Sequence, residues 1–207
     1  MDRKKDGNDM KRMLRTGTAL LLSLAFIACG GGGDQAAAGG EEGEAAGTSG
    51  EEQTAEITVP DWMTVDEEAQ TVTIDLVAGE TDDNNSWNYN GYYNGNVTIV
   101  VPEGFEVTID FENADQVNPH SVGVDDQVGD YPSTFDEVEP AFEGAVTEGA
   151  AEMATSTQPG ESESITFTAS EAGEYALVCY VPAHAVTGMW IGFEVSADGE
   201  AGVREEG

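Results

Sequence analysis

Six short runs of the chain alternate apolar and polar residues with a period of two: 71–77 (Thr-Val-Thr-Ile-Asp-Leu-Val), 97–101, 106–111, 164–168, 175–178 and 190–195. β-Branched and aromatic residues dominate them, a combination that suits a pleated strand with one buried face. Between the runs stand Gly, Pro, Asn and Asp, as at 77–80, 94–96, 102–104 and 172–174, where a chain that must turn needs them. Many short strands broken at this spacing predict an all-β protein, a β-sandwich spanning residues 57–197. No long stretch carries the apolar spacing of a helix, and residues 61–70 are expected to hold one short helical turn.

The alternation fades elsewhere. Residues 125–162 are rich in Gly, Glu, Pro, Ser and Thr, with scattered apolar residues such as Tyr131, Phe135 and Phe142. They read as a long surface excursion, with one short strand over 141–146. A solvated insertion is the favoured account of this stretch, and a shaper of partner choice the other. Residues 198–207 read as a disordered tail. Residues 29–56, a Cys followed by Gly, Ala, Glu, Ser and Thr, have almost nothing to bury and read as a flexible acidic linker.

The chain opens with a basic segment, 1–15, and an apolar run, 18–28. The run has the length of a signal-peptide core and falls short of the ~20 residues of a spanning helix. It ends in Phe26-Ile27-Ala28-Cys29-Gly30, which resembles a bacterial lipobox, in which the Cys is lipidated and becomes the mature N-terminus. Phe26 stands where such motifs carry Leu, Val or Ile, and a plain cleaved signal peptide is the alternative. The reading is therefore a signal peptide at 1–28, lipidation at Cys29, and a protein exported to the cell envelope or periplasm and tethered to a membrane. The nearest approach to a twin-arginine pair is Lys11-Arg12. Export unfolded follows, with metal loaded outside the cytoplasm.

Charge narrows the partners. Residues 29–207 carry 38 acidic residues against one basic residue, Arg204. Nucleic acid is excluded as a partner, because neutralising phosphates takes Lys and Arg. Direct attraction to anionic lipid is excluded for the same reason. Such self-repulsion favours a saline, halophilic setting that screens it, or a partner with a basic face.

Against this background, residues 175–193 carry no charged side chain at all. Within them Cys179, His184 and Met189 are spaced Cys-x4-His-x4-Met, between two predicted strands, and upstream lies Asn118-Pro119-His120-Ser121. Each residue alone has a commoner explanation: a buried inert Cys, a structural His, a core Met. Together they use both His of the chain and its only Cys besides Cys29. A thiolate, two imidazoles and a weak thioether are the donors of a blue-copper site, where soft sulfur suits Cu(I) and imidazole serves both oxidation states. An uncharged patch in so acidic a chain also suits docking.

These motifs resemble the sulfocyanin-type cupredoxins (blue copper proteins), and the ligand-loop spacing is similar to that of rusticyanin. Residues 61–65 leading into 71–79, Trp87-Asn88-Tyr89-Asn90-Gly91, Pro119-His120-Ser121 and the 179–190 loop carry the likeness, over most of 57–197. The resemblance implies a cupredoxin-like Greek-key β-sandwich, of eight strands or nearly so, with one copper ion at one end. It implies His120, Cys179 and His184 as in-plane ligands and Met189 as the axial one. It makes His184 the exit for the electron, under an apolar docking patch of Val181, Pro182, Ala183, Ala185 and Val186. Ser121 is expected to hydrogen-bond across to the Cys loop. Pro182 has no N–H to offer the thiolate, which favours a higher potential.

The function expected is a monomeric single-electron carrier with redox partner proteins, a cytochrome or a terminal oxidase. The alternative is a copper storage or chaperone lipoprotein. An enzyme is not expected, since further copper centres take additional His. A metal-free adhesive sandwich leaves the ligand set unexplained.

Overall fold

The computed structural model describes residues 56–206. The predicted signal peptide, Cys29 and all of the linker but its last residue lie outside the described residues. Nine strands follow one another: β1 (Met63–Asp66), β2 (Thr71–Ala78), β3 (Val97–Pro102), β4 (Glu106–Asn113), β5 (Gly123–Asp125), β6 (Ser162–Thr168), β7 (Gly173–Val178), β8 (Trp190–Ser196) and β9 (Gly202–Glu205). They form two sheets, one in the order β1-β2-β4-β6 and the other β5-β7-β8-β3-β9. The pairs β2–β4 and β3–β8 are parallel and the others antiparallel. Between the parallel neighbours β2 and β4 the chain crosses to the other sheet to make β3, the exchange between layers that marks a Greek-key sandwich.

The period-two pattern sets the core. Val72, Ile74 and Leu76 of β2, Val107, Ile109 and Phe111 of β4, and Ile165 and Phe167 of β6 face Ile99 and Val101 of β3, Leu177 of β7 and Ile191 and Phe193 of β8. Fully burying one such side chain contributes roughly 1.5–3 kcal/mol, so this interdigitated layer supplies most of the cohesion. Cys179 and Met189 belong to the same cluster.

Four expectations are corrected. Residues 61–70 hold no helical turn. Met63–Asp66 form β1, antiparallel to β2, because Met63 is buried in the core and the edge of β2 offers partners for its backbone. The tail at 198–207 is not disordered over its described part. β9 pairs with β3, Val203 is buried, and Arg204 meets Glu194 at 2.9 Å and Glu206 at 3.2 Å. One buried Val and one Arg leave no periodic signal, and the strand forms because β3 has a free edge. Residues 125–162 are not a solvated insertion. Tyr131 and Ala150, with Phe135, Val138 and Ala151 packed against them, cover Ala176, Val178 and Tyr180. β7 is apolar on both faces, and this segment supplies the second cover. The strand expected over 141–146 is one isolated bridge, Val146 to Gly123, helped by Ala141 N–H donating to Val124 O at 2.8 Å.

Candidate metal centre

Two loops at one end of the sandwich converge on the site. The first leaves β7. The antiparallel ladder runs one rung past the strand, with Cys179 N–H donating to Met189 O at 3.1 Å. Inside that rung the chain folds back on itself: His184 N–H donates to Val181 O at 3.0 Å, and Met189 N–H to His184 O at 2.9 Å. A short 3-10 turn, Ala185–Thr187, ends at Gly188, whose φ of 104° and close approach to the Asn94 amide both exclude a side chain. The second loop follows β4 and carries His120, whose backbone N–H donates to Thr157 O at 3.0 Å.

The structure brings three of the sequence-predicted ligands together. One donor atom each from His120, Cys179 and His184 lie within 4.8 Å of one another, and all three residues are buried. His120 Nδ1 is 3.2 Å from His184 Nδ1, and Cys179 Sγ is 3.5 Å from that same nitrogen. Met189 is fully buried, its backbone tied to both Cys179 and His184. Ser121 Oγ lies 3.7 Å from Cys179 Sγ and accepts from Tyr180 N–H at 3.0 Å. Tyr89 O–H donates to Ser121 O at 2.6 Å.

The donor chemistry fits copper. His120 Nε2 faces the Asp115 carboxylate at 3.0 Å. That contact assigns the ring proton to Nε2 and leaves Nδ1 as a lone pair turned to the other donors. Burial, with His120 beside it, pushes His184 down to about 3. Burial also lowers His120, against the pull of Asp115. Two neutral imidazoles therefore stand ready to ligate. Burial pushes the Cys179 thiol up to about 11, against the opposing pull of the N–H groups of Ser121 and Val181 and the Ser121 hydroxyl.

Two residues of the site were not singled out from the sequence. Asp115 is buried, and burial alone would raise its pKa. Hydrogen bonds from the Asn118 side chain, Val117 N–H, His120 and Asn118 N–H overcome that and hold it below the usual carboxylate range. Its only sequence signal is an Asp three residues before Asn-Pro, a turn signature just ahead of His120. Trp87 stacks on the His184 ring, with centroids 4.0 Å apart and planes 20° from parallel. Its place in the Trp87–Gly91 motif gave no hint of that contact.

The expected docking patch is corrected in part. Ala183 is exposed and Val186 is 50 % exposed, whereas Val181 and Ala185 are buried. Val181 points into the main core, and Ala185 packs in the cluster that includes Tyr131 and Tyr180. The alternation of the turn sends these two side chains inward.

The sulfocyanin (SoxE) domain profile matches residues 60–201. The chain belongs to the sulfocyanin family. Sulfocyanins are cupredoxins, electron carriers with one copper ion that work outside the cytoplasm, and this member has the buried His-Cys-His set that the function requires. Among solved structures, reduced auracyanin from the photosynthetic bacterium Roseiflexus castenholzii is 26 % identical, covering 60 % of this chain and 96 % of that one, with a TM-score of 0.43. Rusticyanin from Thiobacillus ferrooxidans is 23 % identical over 65 % and 88 % of the two chains, with a TM-score of 0.46. No curated protein matches the sequence.

Proposed function

We propose that this sulfocyanin holds its copper through His120, Cys179, His184 and Met189, and exchanges electrons with its partners at the His184 end from a membrane tether at Cys29. The observation that carries the ligand assignment is the convergence of three buried donor atoms within 4.8 Å of one another. When bound, copper supplies the one-electron couple Cu(I)/Cu(II).

The protein residues keep the site dry and fixed. Asp115 orients His120, Trp87 covers the face of His184, and Ser121 ties the first ligand's loop to Tyr180, next to the thiolate. Donors fixed by such contacts rearrange little when the charge of the site changes, which favours fast transfer. Burial of all three residues also argues against a store or chaperone, whose metal must come and go. The chain is read as a carrier and not an enzyme, since its two His are both engaged at this one site. Partners would meet the uncharged surface of Ala183 and Val186, beside the Trp87–His184 stack. A cytochrome or a terminal oxidase suits a small exposed apolar contact of this kind. The tether and the lipid would hold a monomeric domain, from residue 57 through β9, at the membrane, and the acidic surface suits a saline medium.

The test is the visible spectrum of the mature protein with one equivalent of Cu(II), beside Cys179→Ser. Intense absorption in the red region, absent from the variant, is the expected result. A colourless wild-type protein would sink the assignment.

A further inference from the structure

We propose that Asp115 is a positioning residue that sets the redox balance of the site through His120: it fixes the imidazole proton on Nε2 and places a buried negative charge against the ring, favouring the oxidised metal. This rests on the copper reading given above.

The carboxylate is held on both sides. Its Oδ1 accepts from Val117 N–H at 2.8 Å and Asn118 N–H at 3.3 Å. Its Oδ2 accepts from Asn118 Nδ2 at 3.0 Å and from His120 Nε2 at 3.0 Å. Asp115 N–H in turn donates to Asn113 Oδ1 at 3.0 Å, and Ala114 N–H to Ala78 O at 2.9 Å, which anchors the turn to the end of β2. Gly79, at φ +69°, lets this happen, because a Cβ there would come within 2.9 Å of Asp115 Cβ.

A turn of this kind forms equally well with Asn at its first position. Asp115 is only 6 % exposed, and burying a carboxylate is costly unless it is paired. A neutral Asn would make the same turn without that cost, so the turn does not account for the charge. The group that does is the imidazole. A carboxylate on the far nitrogen of a ligating His fixes the tautomer, raises the basicity of the ligating nitrogen, and is commonly worth 10–100-fold in metal affinity. Because the charge on the metal is one unit higher in the oxidised state, that stabilisation falls mainly on Cu(II), which lowers the reduction potential.

The test compares the copper-loaded wild-type protein with Asp115→Asn and Asn118→Ala. Asp115→Asn keeps the acceptor that makes the turn and removes both the charge and the acceptor that faces His120 Nε2. It is expected to shift the preference between Cu(II) and Cu(I) at least tenfold toward Cu(I), a rise in potential of about 59 mV for a one-electron couple. Asn118→Ala keeps the carboxylate and removes one of its compensating donors, so its potential is expected to move the opposite way. In the metal-free wild-type protein, nitrogen NMR is expected to show His120 with its proton on Nε2. A purely structural role would give no such pair of opposite shifts. Potentials of both variants equal to wild type, both moving in one direction, or a wild-type His120 protonated on Nδ1, would overturn the proposal. If Asp115→Asn does not fold, the sign in Asn118→Ala and the tautomer still decide it. A wild-type protein with no copper–thiolate absorption would instead count against the copper reading itself.

Discussion

The ligand loop, residues 179–189, and the excursion, residues 125–162, serve the same site by different means. The loop is free of charge and brings two side chains of the cluster, Cys179 and His184, with the buried Met189 at its end. The excursion is acidic and contributes no donor to the cluster of His120, Cys179 and His184. Its part is played by backbone: Thr157 O accepts from His120 N–H at 3.0 Å and Ser133 O from Ala183 N–H at 2.8 Å. One segment ties down both loops that carry the clustered residues. Its aromatic residues also close the outer face of β7, with Phe135 edge-on to Tyr180 at 4.8 Å and Tyr131 against Trp190 at 5.8 Å. The contrast teaches that a site's reactivity and its rigidity can come from segments of opposite composition.

The strongest way to break this comparison is to remove packing from the excursion alone. Tyr131→Ala is expected to cost about 3 kcal/mol, the usual range for deleting a large buried side chain, read from the urea midpoint of the metal-free protein. A change below ~0.5 kcal/mol, typical of a surface position, would return the segment to a solvated insertion.

Acid sharpens the comparison from the side of the loop. In the metal-free protein His184 is pushed down to about 3. Its unfolded value is near 6.5, so between these limits the unfolded chain binds a proton that the folded chain refuses. The contribution is full above pH 6.5 and is lost as pH falls toward 3, at about 1.4 kcal/mol per pH unit. Asp115, held low, loses its contribution in the same direction on further acidification. Urea midpoints taken along this range should decline in the wild-type protein and decline less steeply in His184→Phe, where the lowered His120 remains. A slope shared by both would place the acid sensitivity elsewhere.

The smallest effect concerns the joint between the two regions. Ala183 sits at φ 72°, in the left-handed region, while Ser133 O holds its N–H. That conformation costs a residue with a Cβ roughly 1–2 kcal/mol. Glycine removes the strain and adds unfolded-state freedom worth about 0.4–1 kcal/mol. Ala183→Gly is therefore expected to change the stability little, with a slight gain in Tm. A clear loss would mean that the Ala183 methyl packs and that the exposed patch is smaller than it looks.

The two regions were not equally legible. The six alternating runs became β2, β3, β4, β6, β7 and β8, because a strand with one buried face writes its period into the order of residues. β1 alternates over only four residues and β9 leaves no such mark; both are short edge strands that pair with a neighbour already in place. Cys179, His184 and Met189 stood out through rarity and spacing, and His120 through being the one other His. Asp115 did not stand out, as one acid among many. Nor did the inward turn of Val181 and Ala185, since nothing in an uncharged run says which residues face water.

What the sequence by itself determined is the chemistry and the class of fold: the donors exist only as these residue types, and the strand period is a property of neighbours in the chain. Tertiary structure alone decided the rest. It brought an acid five residues from His120 onto its far nitrogen, laid Trp87 over His184, folded the tail into a strand, and set an acidic excursion over the back of β7. Most of these contacts join residues far apart in the chain or depend on backbone carbonyls, which every residue has, and the Asp115–His120 contact depends on the turn that the fold imposes between them. Composition and spacing cannot encode them, because a carbonyl becomes a ligand's support only when the fold places it there.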